Sequence, residues 1–315
     1  MHERSNVTGL ARTSAALLSF AVLLAGCRGD GSGSSASTPS ALPSVAVAAT
    51  SPGTSGVTTS RPKASDFDPA NFDSDSANVD NPWFPLEPGT RYVWEGHAFE
   101  DGERIERRVE FIVTDLTKEI GGVRSIVGWD RDFNDGLLGE SELIFYAQDK
   151  FGNVWHLGEY VEHWKEQGEL DGGRLWVVGD PEGAKAGIGM HSKPKVGSPS
   201  YSQGFVPPPW FWDDRAKVSE AGVRDCVPVG CFDDVIVIKE FEPRFPRAFQ
   251  LKYYAPGVGS IRIGWKGSND EEREALVLTT FHRLSPQALA KVRALVLEQE
   301  HRGLAYGRLP LAEPF

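Results

Sequence analysis

Glu142, Asp149 and Glu159 are the residues whose type and spacing suit acid-base work. Two such carboxylates held about 5 to 10 Å apart on a concave face could protonate and attack a glycosidic bond. A second acidic run, Asp130, Asp132, Asn134 and Asp135-Gly136, approaches a calcium loop. Its glycine falls one position late and Ser141 stands where the closing glutamate belongs, so a solvated turn with clustered acids is the expectation. His156 and His163 are seven apart; on one strand they would face opposite sides, and a turn at Gly158 would place them on separate strands. Neither arrangement makes a zinc pair. Gly187-Ile188-Gly189-Met190 has no helix behind it to cradle phosphate, and no G-x-S-x-G elbow occurs. No catalytic residue, metal or cofactor is assigned from sequence.

The three cysteines divide into two roles. Cys226 and Cys231 flank Val227-Pro228-Val229-Gly230 and can close a hairpin turn as a disulfide in an exported protein. A redox pair or two free thiols are the alternatives, and the spacing is not C-x-x-C. Cys27 ends Leu24-Ala25-Gly26-Cys27, after a polar start with Arg4 and Arg12 and an apolar run from Ala15 to Ala25 too short to span a bilayer. This arrangement resembles the lipobox of bacterial lipoproteins, which implies a diacylglyceryl thioether on Cys27 and removal of residues 1–26. Residues 28–65 are rich in Ser, Thr, Pro, Ala and Gly, without a periodic apolar pattern, and read as a disordered spacer reaching roughly 30–35 Å. Arg28-Gly29-Asp30 in that tract reads as coincidence.

A third group is aromatic. In Pro207-Pro208-Pro209-Trp210-Phe211-Trp212-Asp213-Asp214 the prolines hold the chain extended, and three adjacent rings cannot all face inward on a strand. Trp210, Phe211 and Trp212 are therefore ligand-binding candidates for a sugar or lipid; the alternative is an aromatic lid over the open end of a sheet.

These groups need a scaffold, and periodicity supplies strands nearly throughout. Tyr92–His97 precedes the Asp101-Gly102 turn, and Ile105–Val113 then alternates apolar and charged residues, with Arg107 breaking the apolar face once. Further strands are expected over Val123–Asp130, Glu142–Gln148, Val154–Glu159, Tyr160–Lys165, Leu175–Val178, Asp234–Phe241, Phe249–Ala255, Ser260–Trp265 and Ala275–Arg283. Ser285 can cap a helix with Pro286 in its first turn, and Leu289, Val292, Leu295 and Val296 give it one apolar stripe to pack on the sheet. The expected fold class is mainly β, a curved antiparallel meander or half-barrel with a C-terminal helix. The organisation reads as a signal peptide over 1–26, lipidated cysteine and linker over 27–65, β domain over 66–284, and helix with tail over 285–315.

Asn81-Pro82-Trp83-Phe84-Pro85-Leu86-Glu87-Pro88-Gly89-Thr90, Tyr146-Ala147-Gln148-Asp149-Lys150 with Gly152-Asn153-Val154-Trp155, and Tyr253-Tyr254-Ala255-Pro256-Gly257-Val258-Gly259 resemble the landmarks of a widespread family of uncharacterised bacterial envelope lipoproteins. The resemblance spans about residues 80 to 282 and implies an extracytoplasmic β-protein of unassigned activity. The prolines beside Trp83 and Phe84 prevent a helix, so those rings can plug one end of the sheet.

A net charge of −11 argues against a nucleic-acid partner and against electrostatic docking on anionic lipid. The partners expected are the membrane, through the lipid anchor, and an apolar or glycan ligand. The location expected is extracytoplasmic, anchored by lipid to the cell membrane or outer membrane. The leading function is non-enzymatic binding or envelope maintenance. A carboxylate-dependent hydrolase acting on envelope glycans is the alternative, as is a scaffold without a small-molecule site, expected if the sheet interior is packed solid.

Overall fold

The computed structural model describes residues 66–100, 102–245, 247–267, 273–303 and 309–315. The lipobox at Leu24–Cys27 and the linker lie outside the described residues. Past a short 3-10 turn at Pro69–Asn71, the strands are β1 (Thr90–Glu100), β2 (Glu103–Ile120), β3 (Val123–Asn134), β4 (Leu137–Gln148), β5 (Val154–Trp164), β6 (Leu170–Val177), β7 (Lys185–Met190), β8 (Tyr201–Ser202), β9 (Gly204–Phe205), β10 (Arg215–Val227), β11 (Gly230–Phe241), β12 (Ala248–Ala255), β13 (Gly259–Gly267), β14 (Glu274–Arg283) and β15 (Glu313–Pro314). One helix, α1 (Pro286–Arg302), follows β14.

All these strands join one antiparallel sheet. Its main order is β8-β10-β11-β12-β13-β14-β1-β2-β3-β4-β5-β7-β9, with β6 on β5 and β15 on β2. The sheet is mainly a meander, and β14 returns to pair with β1. Among the described residues no ladder closes it, yet its two end strands, β8 and β9, are separated in the chain by Gln203 alone. The sheet curls enough that Phe84, carried by the segment before β1, packs on Tyr146 of β4 and on Tyr254 of β12.

β5 differs from the sequence expectation. It runs unbroken through Gly158, where a turn or strand break was expected, because Gly158 adopts φ +145° and forms a bulge in the ladder with β4. A Cβ there would lie 2.3 Å from the Trp176 carbonyl oxygen, so glycine is what permits the close crossing with β6. The long β10, absent from the sequence reading, forms a ribbon with β11 interrupted by three register shifts. Lys217, Glu220, Arg224 and Asp225 interrupt its apolar pattern.

Ser285 caps α1 by accepting from the Ala288 amide, with Pro286 in the first turn. The helix lies on the outer face of the sheet. Val292 and Val296 are buried there as the stripe suggested, but Leu295 is 48% exposed and the remaining buried positions are polar, Gln299 and Glu300.

Candidate functional site

Strand register puts acids opposite acids. On the inner face Asp130 pairs with Glu142 and Asp132 with Glu140 across β3 and β4, while Phe111 and Val109 of β2 flank them. All four carboxylates are buried. Like charges directly opposed on a sheet repel, and a buried carboxylate without compensation is costly. Glu159, Glu240 and Glu274 are buried as well. Compensation comes from few cations. Arg107 reaches Asp132 at 2.6 Å and Glu274 at 3.1 Å, and Lys252 reaches Glu240 at 2.7 Å. The His163 ring also meets Glu140, with Nδ1 at 2.8 Å. No side-chain donor reaches either oxygen of Asp130.

The excess is met by protons. Burial pushes the Asp130 carboxyl up to about 8, with the Glu140 charge adding and Arg107 and Lys252 opposing. Burial, then neighbouring acids, likewise raise Asp132 and Glu142 well above the usual range, against Arg107 at Asp132. Burial lowers His156 to about 3, which keeps its ring neutral. At neutral pH Asp130 is thus held mainly as the carboxylic acid, able to donate a hydrogen bond as well as accept one.

Two pockets open beside this network, with Phe84 lining both. One is polar, lined by Tyr146, His156, Gln203, Glu240, Lys252 and Tyr254, with a free volume of about 20 Å³. The other, about 30 Å³, is apolar, with Leu86, Tyr92, Trp94, Phe111 and Val258 on its walls. Asn81 fixes the segment that carries Phe84. Its Nδ2 donates to the carbonyls of Gly152 and His191, its amide donates to Gln148 Oε1, and its Oδ1 accepts from the Trp83 amide. Phe84 is buried by this arrangement, and Trp83 only partly.

The candidates named from sequence are scattered over the fold. Glu142 and Glu159 occupy neighbouring strands on the inner face. Asp149 does not join them. Its carboxylate accepts from the amides of Phe151 and Asn153, from Asn153 Nδ2 and from Trp155 Nε1, which fixes the β4–β5 turn. The solvated acidic turn expected at Asp130 and Asp132 is corrected: only Asp135-Gly136 turns, with positive φ at both, and the two earlier acids are strand residues pointing inward. His156 and His163 also depart from expectation, because the bulge at Gly158 shifts the parity. His156 pairs with Tyr146 and His163 with Glu140, both on the inner face.

The aromatic triplet divides. Trp210 is 37% exposed, Phe211 stands edge-on to Phe205, and Trp212 is buried against His156 and Trp176. Trp212 is a core residue, unavailable as one face of a surface platform; it covers Gly204, where a Cβ would lie 2.2 Å from the indole. Cys226 and Cys231 pair across β10 and β11 and are joined as a disulfide. Asp213, Asp214 and Glu242, which sequence reading passed over, bring carboxylate oxygens within 4.8 Å of one another. Their 28-residue separation hides this, since only the β10–β11 pairing unites them.

Fold and site together define an antiparallel β-sheet protein with a curled, acid-rich interior and, among the described residues, one helix outside. No family model matches the chain, and no curated protein matches it. It is similar to two solved structures: a Bacteroides fragilis protein described provisionally as exported and of YmcC-like fold, and a Parabacteroides distasonis protein described provisionally as a lipoprotein. Each is 12% identical with a TM-score of 0.37, the match covering 64% of this chain and 99% of the other.

Proposed function

We infer that this chain is an extracytoplasmic lipoprotein, tethered through Cys27, whose β domain binds a small ligand with an apolar part. The observation that carries this reading is the apolar pocket between Phe84 and the inner faces of β1 and β2, next to a polar pocket with donors and acceptors. Each has room for only a water or two, so a ligand enters only where the Phe84 segment gives way. The three sequence landmarks that resemble those of uncharacterised envelope lipoproteins supply Phe84, Tyr146, Tyr254 and Val258, and all four line these pockets. Residues distant in sequence thus converge on one place.

Binding is favoured over hydrolysis by burial. Glu142 and Glu159 lie beneath the sheet surface, where a glycan chain has no route to them. The domain plan accompanying this reading is a signal over 1–26, a linker over 27–65 and a sheet from 66 to 284. The terminal segment 285–315 completes the outer face.

Native mass spectrometry of the detergent-extracted full chain should reveal a co-purified apolar ligand. A brominated fatty acid should quench part of the tryptophan emission saturably, through Trp94 in the pocket wall. Val258→Phe, which fills the pocket, should abolish that quenching. Failure to detect either a bound mass or saturable quenching overturns the binding reading and favours a scaffold.

A further inference from the structure

We propose that the end of the sheet at the β11–β12 turn docks on an anionic membrane surface, with Trp210 and Phe245 entering the lipid interface and Lys217, Lys239 and Lys266 meeting its phosphates. Phe245 lies in that turn and is 40% exposed, and Trp210 is 37% exposed. Arg244 ties the two segments together, its guanidinium lying 4.7 Å from the Phe211 ring and 5.9 Å from the Phe245 ring. Behind the turn the rings of Phe241 and Phe249 sit 5.9 Å apart. Exposed aromatic rings beside cations are what a water–lipid boundary accommodates.

Strand register supplies the cations. Lys217 of β10 stands directly opposite Lys239 of β11, and Lys239 opposite Leu251 of β12. Two residues nearer the turn, Arg215 faces Phe241, and Phe249 faces Lys266 of β13. These positions alternate with the buried Ala216, Val218, Glu240 and Lys252, so they share the outer face, away from the part of it that α1 occupies. Like charges directly opposed weaken a sheet, yet none of the three lysines has an ion-pair partner among the described residues. Lys239 lies instead 5.1 Å from the Phe249 ring.

The acids at this end are Asp213, Asp214, Glu220 and Glu242, and Arg215, Arg244 and Arg247 stand with the lysines against them, so cations are in excess even with Asp214 counted as charged. The whole chain carries −11, but at physiological ionic strength exposed charges more than about 8 Å away are largely screened. A lipid surface therefore meets the local excess and not the sum. A membrane fits better than a soluble acidic glycan, because the exposed rings need an apolar phase as well as an anion. The tether at Cys27 keeps the domain beside the membrane, so a weak contact is enough to orient it; this step rests on the lipoprotein reading given above.

The full chain, expressed with its leader and placed on vesicles with brominated acyl chains, tests this. The vesicles are phosphatidylcholine with or without phosphatidylglycerol. A fluorophore on Phe245→Cys should be quenched when phosphatidylglycerol is present and released by high salt. Lys217→Gln, Lys239→Gln and Lys266→Gln combined should shift docking toward the free state on the order of 100-fold, at about fivefold per lysine, with an unchanged Tm showing that the variant folds. A fluorophore on Leu295→Cys of α1 should stay unquenched. Flotation with the vesicles reads the tether separately. A chain that floats without quenching at position 245 overturns docking and leaves the tether standing; one that floats only with phosphatidylglycerol, and is quenched there, keeps docking and removes the tether. Quenching equal with both lipids, or undiminished in the lysine variant, overturns the proposal. So does a probe shifted by dextran sulfate and not quenched by vesicles, which assigns the face to an acidic glycan.

Discussion

Strands β2 to β5 carry a buried polar network on each face, and the two are built differently. Outside, under and around α1, acids have basic partners. Lys118 pairs with Glu300, Arg302 grips Glu162 through two nitrogens, and Arg293 does the same to Asp115. Burial works to raise the Glu110 carboxyl there, but Arg131, Arg91 and Arg108 around it hold it below the usual value. Gln299 accepts from Trp129 and Ser141 and donates to the Ser141 carbonyl. Inside, acids outnumber bases and protons make up the difference. The outer network is an attachment built of paired charges; the inner one changes its charge when Asp130 titrates.

Removing Arg107 tests that contrast most severely. Arg107→Ala strips the guanidinium from between Asp132 and Glu274 and should cost about 3–5 kcal/mol in urea denaturation, because two buried acids lose their partner. A loss under about 1 kcal/mol would mean the inner acids need no cation. On the outer face, Gln299→Ala removes three hydrogen bonds in a neutral setting and should cost about 2 kcal/mol, with little dependence on pH. A strong pH dependence of that loss would erase the distinction between the faces.

The subtlest effect is the pH profile itself. The Asp130 carboxyl is raised from 3.8 to about 8 in the folded chain, so the native state binds more protons across that window and stability falls as pH rises through it. His156 is lowered from 6.5 to about 3, so its contribution is lost as pH falls through that lower window. Between about pH 6.5 and 8 Asp130 acts unopposed by His156, and Tm should drop on raising pH. Asp130→Asn should flatten this slope and raise Tm at pH 8 by about 2–4 °C, the shift expected for ~1 kcal/mol in a domain of this size. An unchanged slope would show that Asp130 is not the group responsible.

Alternation made most of the sheet legible in the sequence, and Ser285-Pro286 marked the helix start because capping chemistry is local. What stayed hidden depended on faces meeting at a distance. Arg107 looked like a flaw in an apolar strand, yet it was the sign of an acidic interior; its partners lie 25 residues away on β3 and on β14. Asp130 and Asp132 resembled a turn since acids cluster before Asp135-Gly136, and alternation at spacing two was the available clue that they share a face. Gly158 reads as a turn residue, but its neighbours decided that it would be a bulge. Gln299 and Glu300 extend the buried side of α1 with polar groups, which a search for apolar stripes passes over. The Phe84 plug was visible in its prolines, while the rings it meets were not.

The irregular β10–β11 ribbon bears on what happens when many copies crowd together. Beyond the two residues covered by β8, the edge of β10 away from β11 pairs with no strand among the described residues, and such an edge ordinarily invites a neighbouring chain to add a strand. Three register shifts distort the row of amides and carbonyls, and Lys217, Glu220, Arg224 and Asp225 stud it with charge. An incoming strand would find no regular ladder to copy, so the same features that disguised β10 in the sequence guard the folded chain against aggregation.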